Sequence, residues 1–246
     1  HKAIRRQRQM CIRDSQQRLM GFMGLSSSYD VKDIITYKPE YSWNYEVGTH
    51  LSLADGKLDA QAALFYIDCR DQQLTMFPDG LTTGRIMTNA GKTRSFGGEL
   101  SVSYMPSPRW MINLSYGYTN AKFTDFFNGI TDYSGKYLPY APRNTLFGGV
   151  TYRQPVRSSW LNDIVFNVNC RGIGEIMWDE ANSVKQPLYA LAGASVCFEH
   201  EHYSLSLWGE NITDTKYNTF YFVSIGNRFL QRGKPVRVGA TLRLNF

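Results

Sequence analysis

The sequence lacks any long apolar run. No stretch of about 18 consecutive apolar residues occurs among its 246 residues, which excludes a transmembrane helix. A membrane protein built from strands is not excluded. In a barrel strand, lipid-facing residues alternate with polar ones, so the strand has a weak hydropathy signal.

Patterns that carry catalytic or metal chemistry are also scarce. The four cysteines, Cys11, Cys69, Cys170 and Cys197, show no CxxC spacing and no nearby histidine pair, which argues against zinc and thioredoxin-type sites. The run Glu199–His202 alternates acid and imidazole, but alternate residues of a strand face opposite ways, so four ligands would not converge. No Ser/His/Asp order, paired carboxylates or phosphate-binding glycine motif is present, so we expect no enzyme, no metal and no cofactor.

The charge has little organisation. There are 27 Lys and Arg against 21 Asp and Glu, a net charge of +6, and the basic residues are scattered without a nucleic-acid motif. One cluster exists, in which Arg5, Arg6, Arg8 and Arg13 lie among glutamines without any period. We expect residues 1–17 to be a disordered or non-native basic segment. No signal peptide opens the chain, and an outer-membrane protein needs one, so either the native N-terminus is missing or a membrane interpretation is wrong.

The last twelve residues alternate strictly. Apolar side chains occupy every second position: Val236, Val238, Ala240, Leu242, Leu244 and Phe246. Polar, charged or glycine residues lie between them. A strict period of two predicts a strand with different surroundings on its two sides, and the length fits a membrane strand of roughly 9–11 residues. We interpret Val236, Val238, Leu242, Leu244 and Phe246 as the closing strand of an outer-membrane barrel, with lipid outside and a wet lumen inside.

The same alternation of apolar and polar residues predicts strands over most of the remaining chain. Candidate strands cover residues 19–29, 44–53, 58–67, 96–104, 110–121, 145–152, 164–171, 188–198, 203–223 and 235–246. Aromatic residues mark the ends of the apolar face in 110–121, as an interfacial girdle would. About ten strands and no convincing helix predict an all-β, antiparallel up-and-down meander.

The connections alternate between two lengths. Short ones are predicted near 54–57, 105–109, 154–160 and 199–202, the first with an Asp-Gly turn. Long ones are predicted near 30–41, 78–91, 125–143, 172–187 and 224–234. Outer-membrane barrels have short periplasmic turns and longer extracellular loops. The final strand is therefore predicted to run from outside to the periplasm.

Five stretches resemble the carboxyl-terminal half of TonB-dependent outer-membrane receptors, in the family's order. They are Lys38–Glu40 with Asn44–Gly48, Asn89–Gly91 with Gly98–Leu100, Leu138–Asn144, Trp208–Tyr217, and Lys234–Arg237 with the terminal Phe246. The resemblance implies a barrel of 22 strands around a plug domain. About ten strands are available here, so residues 18–246 are expected to form an incomplete barrel from a truncated gene product.

The resemblance also implies a location and partners. The location is the bacterial outer membrane, and the implied partners are its lipid, the barrel-assembly machinery through the C-terminal strand, and the TonB inner-membrane complex through the missing N-terminal part. A free piece would expose two strand edges that lipid cannot satisfy, so it must close, find further strands or fail to insert.

The implied function is TonB-dependent uptake of a scarce ligand of the iron–siderophore type. Candidate ligand-binding residues are aromatic and basic side chains of the long loops and their borders: Tyr133, Tyr137, Tyr140, Trp178, Arg171 and Arg228. The aromatic rings could stack on a chelate and the arginines could pair with its anionic groups. The competing interpretation is that the loop tyrosines are girdle residues or only pack the loops.

Two other classes of protein stay open at this point. One is a passive diffusion pore of about ten strands, which conductance in planar bilayers would reveal. The other is a soluble β-sandwich or lectin, whose apolar stripe would pack on a second sheet.

Overall fold

The computed structural model describes residues 39–76, 86–127, 131–224 and 227–245. The expected strand 19–29, the basic segment 1–17 and Phe246 lie outside these residues. The described part is built from strands and turns, and it contains no helix that is long and apolar enough to cross a membrane.

Nine strands form the main sheet of the described chain. They are β1 (Tyr41–Leu53), β2 (Leu58–Met76), β3 (Ile86–Ser107), β4 (Trp110–Asp125), β5 (Asn144–Ser158), β6 (Leu161–Ile173), β9 (Tyr189–Glu199), β10 (Tyr203–Glu210) and β13 (Arg237–Leu244). Two hairpins form separate small sheets: β7 (Ile176–Met177) with β8 (Lys185–Gln186), and β11 (Asn218–Ser224) with β12 (Asn227–Arg232).

The main sheet is a meander. Its strand order is β1-β2-β3-β4-β5-β6-β9-β10-β13, every neighbouring pair is antiparallel, and β1 and β13 are its two edges. The small hairpins are insertions between β6 and β9 and between β10 and β13. This architecture confirms the predicted all-β antiparallel meander.

The strand register sorts the side chains into two faces. One row across all nine strands is apolar apart from a single glycine: Leu53, Leu58, Tyr104, Ile112, Val150, Val168, Ala194, Gly209 and Val238. The adjacent row on the opposite face is polar, charged or glycine: Ser52, Asp59, Ser103, Asn113, Gly149, Asn169, Gly193, Glu210 and Arg237. Because the side-chain period of a strand is two, this register places the apolar row on one side of the sheet and the polar row on the other.

The apolar face is uncovered. Val238, Leu242 and Leu114 are 79%, 63% and 53% exposed. No second sheet of the described residues packs on this face, which contradicts the β-sandwich alternative. In water, each such side chain would lack the stabilisation of about 1.5–3 kcal/mol that burial gives an apolar side chain. The face therefore needs an apolar solvent. A lipid bilayer supplies it.

Aromatic rings border this face at both ends. At the end with the short turns, the rings of Trp110 and Tyr152 lie 4.6 Å apart between centroids. At the other end, Tyr45 and Tyr66 face each other across β1 and β2 with centroids 6.3 Å apart. These positions match the interfacial belts of a membrane barrel.

One predicted strand is wrong. Residues 203–223 do not form a single strand, because β10 ends at Glu210 and Asn211 adopts a positive φ of 48°. The chain turns there, and β11 then pairs with β12 in a separate hairpin. The predicted loop 224–234 is therefore largely the second strand of that hairpin.

Two further boundaries differ from the prediction. Strands β2 and β3 continue well past the girdle and stay paired from Gln72 with Ala90 to Met76 with Ile86. Residues 86–91 of the predicted loop 78–91 are therefore strand, and the rest of that loop lies outside the described residues. Strand β5 continues to Ser158, so the turn before β6 is shorter than the predicted turn 154–160. The polar sequence of these extensions hid them, because the parts of a strand that extend beyond the membrane on either side face water on both faces and lose the alternating pattern.

Candidate functional site

Three insertions meet beyond the end of the sheet that carries the long connections. They are residues 126–127 with 131–143, the β7–β8 hairpin and the β11–β12 hairpin, and we call them together the loop cluster. The contacts that these insertions make decide which of their side chains stay available to a ligand.

The first insertion folds back along the upper part of β4. Phe123 and Phe126 are 1% and 2% exposed, their ring centroids lie 4.7 Å apart, and Tyr133 packs on Phe126 at 5.4 Å. The Gly135 N–H donates to the Phe123 carbonyl at 2.8 Å. Tyr133 therefore belongs partly to a small aromatic core.

A short turn in this insertion is held by hydrogen bonds to the Asp132 carboxylate. The Ser134 backbone N–H donates to Asp132 Oδ1 at 2.8 Å. Hydrogen bonds from the Ser134 side chain and then from its backbone lower the pKa of the Asp132 carboxyl, because they favour the charged form. Asp132 is an exposed, ionised group at the tip of the cluster.

Tyr137 is held between two cations. Lys122 Nζ lies 4.6 Å from its ring centroid and Arg143 Cζ lies 4.7 Å from it. Its backbone is fixed by the side chain of Asn182, whose Oδ1 accepts from the Tyr137 N–H at 2.7 Å and whose Nδ2 donates to the Tyr137 carbonyl at 2.9 Å. Both cations make cation–π contacts with the Tyr137 ring, so the ring is part of the packing between this insertion and β4.

Tyr140 joins all three insertions. Its backbone N–H donates to the Met177 carbonyl at 2.8 Å, and its hydroxyl donates to the Tyr221 carbonyl at 2.6 Å. Its ring stacks on Phe220 at 5.6 Å and meets Trp178 edge-on at 5.4 Å. The residue has a positive φ of 62° and remains 46% exposed, so part of its ring faces solvent.

Trp178 lies inside the cluster. It is 5% exposed and packs with Ile176 and Tyr221. The turn after it is closed by Asp179, whose Oδ1 accepts from the N–H groups of Ser183 at 2.8 Å and Val184 at 3.0 Å. The indole therefore supports the hairpin from within.

The two predicted arginines lie apart from each other. Arg171 is on β6, on the polar face, opposite Phe147 and Leu191. Arg228 is on β12, opposite Val223, and it is exposed. The described contacts join Tyr140 with Trp178 but place neither arginine against them.

A groove that the sequence did not predict lies beside Arg171. Its volume is about 420 Å³ and its lining includes Arg171, Trp208, Glu210, Tyr217, Lys234 and Arg237. Tyr217 stacks on Tyr189 with ring centroids 4.5 Å apart. Glu210 pairs with Arg237, which leaves Arg171 and Lys234 as the surplus positive charge. The motif Trp208–Tyr217 was the available signal, since it contributes five of the lining residues.

Asn211 is one of the residues that line this groove. It is buried, accepts from the Thr215 N–H at 2.9 Å, and donates to the carbonyls of Thr215 and Lys234 at 3.0 and 3.1 Å. One side chain thus ties the turn after β10 to the segment that leads into β13.

The last predicted strand corresponds to β13, an edge of the main sheet, and its closing role stays a prediction. Val238, Leu242 and Leu244 lie on the apolar face of β13, and Val236 precedes the strand, its N–H donating to Asp214 Oδ1 at 3.3 Å.

Comparison with known proteins agrees with this architecture. A family model described as "TonB dependent receptor-like, beta-barrel" matches residues 19–212. The pesticin receptor of Yersinia enterocolitica is 27% identical over 215 residues, which cover 87% of this chain and 30% of that receptor.

Solved structures show the same likeness. The ferric yersiniabactin uptake receptor FyuA from Yersinia pestis superposes with a TM-score of 0.70 at 25% identity, over 84% of this chain and 30% of that one. The ferric citrate transporter FecA gives 0.64 at 25% identity, over 83% and 32%. The chain thus spans about 30% of the length of the first relatives it matches. It belongs to the TonB-dependent receptor β-barrel family, a family of bacterial outer-membrane receptors.

Proposed function

We propose that this chain is part of the barrel of a receptor that imports an iron–siderophore chelate across the outer membrane with energy from TonB. The observation that carries the proposal is the family match over residues 19–212, together with relatives named for ferric yersiniabactin and ferric citrate. Both names specify ferric iron in a complex with a small molecule.

The loop cluster supplies suitable chemistry for such a ligand. The predicted set is Tyr133, Tyr137, Tyr140, Trp178, Arg171 and Arg228. Within it we propose that Tyr140 is a contact residue, because its ring is both positioned by three insertions and 46% exposed. Trp178 would act indirectly, since its burial lets it fix the edge of Tyr140.

Arg171 would act from the lumen side. It shares its groove with Lys234, and an anionic chelate passing the loops would meet this pair of cations on the polar face. Arg228, exposed on β12, would attract the ligand from solvent.

The remaining partners follow from the same proposal. Lipid covers the apolar face, the barrel-assembly machinery recognises the C-terminal strand, and TonB contacts a part of the receptor outside this chain. Specificity for one chelate would arise from the loops, which differ most among receptors on a common scaffold.

Uptake of radioactive iron tests the proposal. A strain that lacks the gene would be compared with its parent on a panel of ferric siderophores, with and without a functional TonB. We expect one chelate to lose TonB-dependent uptake in the deletion strain. Unchanged uptake across the panel would refute an iron receptor, and TonB-independent conductance of the purified protein in planar bilayers would favour the passive pore instead.

A further inference from the structure

The polar face of the main sheet points into the lumen, and its two halves differ in charge. We call the inward face of β1 to β4 the acidic wall, and the inward face of β5, β6, β9, β10 and β13 the mixed wall. Register assigns the inward side chains, because every second residue along a strand from the polar row of Ser52, Asp59 and Asn169 lies on the same face. The charges of the two walls can therefore be compared strand by strand.

The acidic wall has carboxylates without matching cations. Glu46, Asp59 and Glu99 lie on it, and the inward positions of β1 to β4 that the structure describes include no lysine or arginine. His50 also lies on this wall, with its Nε2 3.8 Å from Asp59 Oδ1. Glu46 and Glu99 make no ion pair with any described residue. The acidic wall therefore presents uncompensated negative charge to the lumen.

The mixed wall has a surplus of positive charge at its outer end, nearest the loop cluster. Glu210 and Arg237 form an ion pair there. Arg171 and Lys234 line the same groove, and neither of them makes an ion pair within the described part of the chain. An anion that leaves the loops thus meets two unmatched cations on this wall.

The inner end of the mixed wall is balanced in charge. Arg153 Nη1 lies 3.0 Å from Asp163 Oδ2 and 2.7 Å from Glu199 Oε2. Arg243 on β13 is opposite Ser204, which is itself opposite Glu199. Two arginines therefore accompany two carboxylates, so no surplus charge holds or repels an anion that arrives at this end.

Uncharged polar side chains lie between the two ends of the mixed wall. Asn169 Nδ2 donates to Asn167 Oδ1 at 3.0 Å, and Asn167 Nδ2 donates to Thr151 Oγ1 at 2.9 Å. Ser195 on β9 is directly opposite Asn167. Amides and hydroxyls can exchange hydrogen bonds with a polar solute without repelling an anion. This stretch therefore suits the passage of an anionic, polar molecule.

Each wall has a groove that opens to the lumen. The groove of the acidic wall has a volume of about 570 Å³ and its lining includes His50, Glu99 and Ser101, whereas the groove of the mixed wall has about 420 Å³. Size alone favours the acidic groove as a passage. Charge decides against it for an anion, because a cleft with low-dielectric walls concentrates the field of the charges that line it.

We propose that the imported anionic chelate crosses the lumen along the mixed wall and not along the acidic wall. Arg171 and Lys234 attract it from the loop cluster, and the uncharged stretch around Asn167 and Ser195 lets it move toward the periplasm. Passage requires attraction strong enough for entry and weak enough for release, and the change from surplus charge to balanced charge provides both. The inference rests on the proposed function, because it needs an anionic cargo, and it adds the side of the lumen on which that cargo moves.

The electrostatic part of the inference is tested without a chelate. Full-length receptor reconstituted in lipid, in a background without the four cysteines of the sequence, would carry Ser195→Cys on the mixed wall or Ser101→Cys on the acidic wall. The probes are two small thiol reagents, the anion sulfonatoethyl methanethiosulfonate and the cation trimethylammonioethyl methanethiosulfonate. We expect the ratio of anion to cation reaction rates to be roughly tenfold higher at position 195 than at position 101. An equal or lower ratio at position 195 would overturn the inference.

An added charge tests the passage itself in cells. The strain that lacks the gene would carry the full-length receptor as wild type, Ser195→Asp or Ser101→Asp. Uptake of radioactive iron from ferric citrate and from ferric yersiniabactin would be measured beside the binding of each chelate to the cells. We expect Ser195→Asp to slow uptake roughly fivefold at unchanged binding, because a carboxylate there repels a passing anion. Ser101→Asp adds the same charge to the acidic wall and should import at the wild-type rate.

A third variant separates charge from size. Ser195→Asn enlarges the side chain as Ser195→Asp does but adds no charge, so it should import as the wild type does. Equal uptake by the two Asp variants would overturn the inference, as would uptake by Ser195→Asn that is as slow as that of Ser195→Asp. Failure of the wild-type receptor to import either chelate would count against the proposed function, and the reagent rates would then decide the inference alone.

Discussion

Replacement of Asn211 by alanine should weaken the junction between β10 and β13. The side chain is 6% exposed and makes three hydrogen bonds, one accepted from the Thr215 N–H and two donated to the carbonyls of Thr215 and Lys234. At roughly 0.5–1.5 kcal/mol net for each bond, the loss is about 1.5–4.5 kcal/mol. The positive φ of 48° adds to it, because alanine tolerates that conformation less well than asparagine.

The assay measures the free energy of unfolding of the full-length protein in lipid vesicles by urea titration. Protease cleavage near residue 213 serves as a second, local probe. Asn211→Gly separates the backbone term, since glycine accepts the positive φ but makes none of the three side-chain bonds. Asn211→Asp keeps only the acceptor. We expect Asn211→Ala to be the least stable, followed by Asn211→Asp and Asn211→Gly, both below wild type. Stability of Asn211→Ala within about 0.5 kcal/mol of wild type would refute the reasoning.

Further predictions concern packing and the loop cluster. Gly97→Ala should destabilise the barrel by about 1–3 kcal/mol, because a Cβ at Gly97 would lie 2.0 Å from the Tyr118 carbonyl oxygen. Gly148→Ala is its control, since a Cβ there would meet only a leucine side chain at 3.5 Å; equal heat stability of the two variants would contradict the prediction. Tyr140→Phe removes the 2.6 Å hydrogen bond to Tyr221 but keeps the ring. It should increase protease cleavage of the β11–β12 hairpin and weaken chelate binding several-fold, whereas unchanged cleavage would show that the hydroxyl does not hold the hairpin.

The sequence predicted the faces of the sheet well. The period of two survives in Val238 and Leu242 against Arg237 and Arg243, because lipid and lumen water select opposite side chains at successive positions. No comparable selection acts on the strands above the girdle. The extension of β2 to Met76 was therefore missed.

The loop contacts could not be read from local pattern. The hydrogen bond from Tyr140 to Tyr221 joins residues 81 positions apart, and the local sequence around either residue does not predict it. The burial of Trp178 has the same origin, since Tyr221 covers it from a distant hairpin. The break after Glu210 was visible only as the Asn-Ile-Thr-Asp turn chemistry, which the apolar residues of 217–223 outweighed in the strand prediction.

The most direct test of the central claim is a spin-label scan of positions 111–118 on β4, made in a background without the four cysteines of the sequence and reconstituted in lipid. Collision rates with oxygen and with a water-soluble nickel chelate would be measured by electron paramagnetic resonance at each position. The account predicts oxygen contact at Ile112, Leu114, Tyr116 and Tyr118, and nickel contact at the positions between them. A profile without a period of two, or the opposite phase, would contradict it.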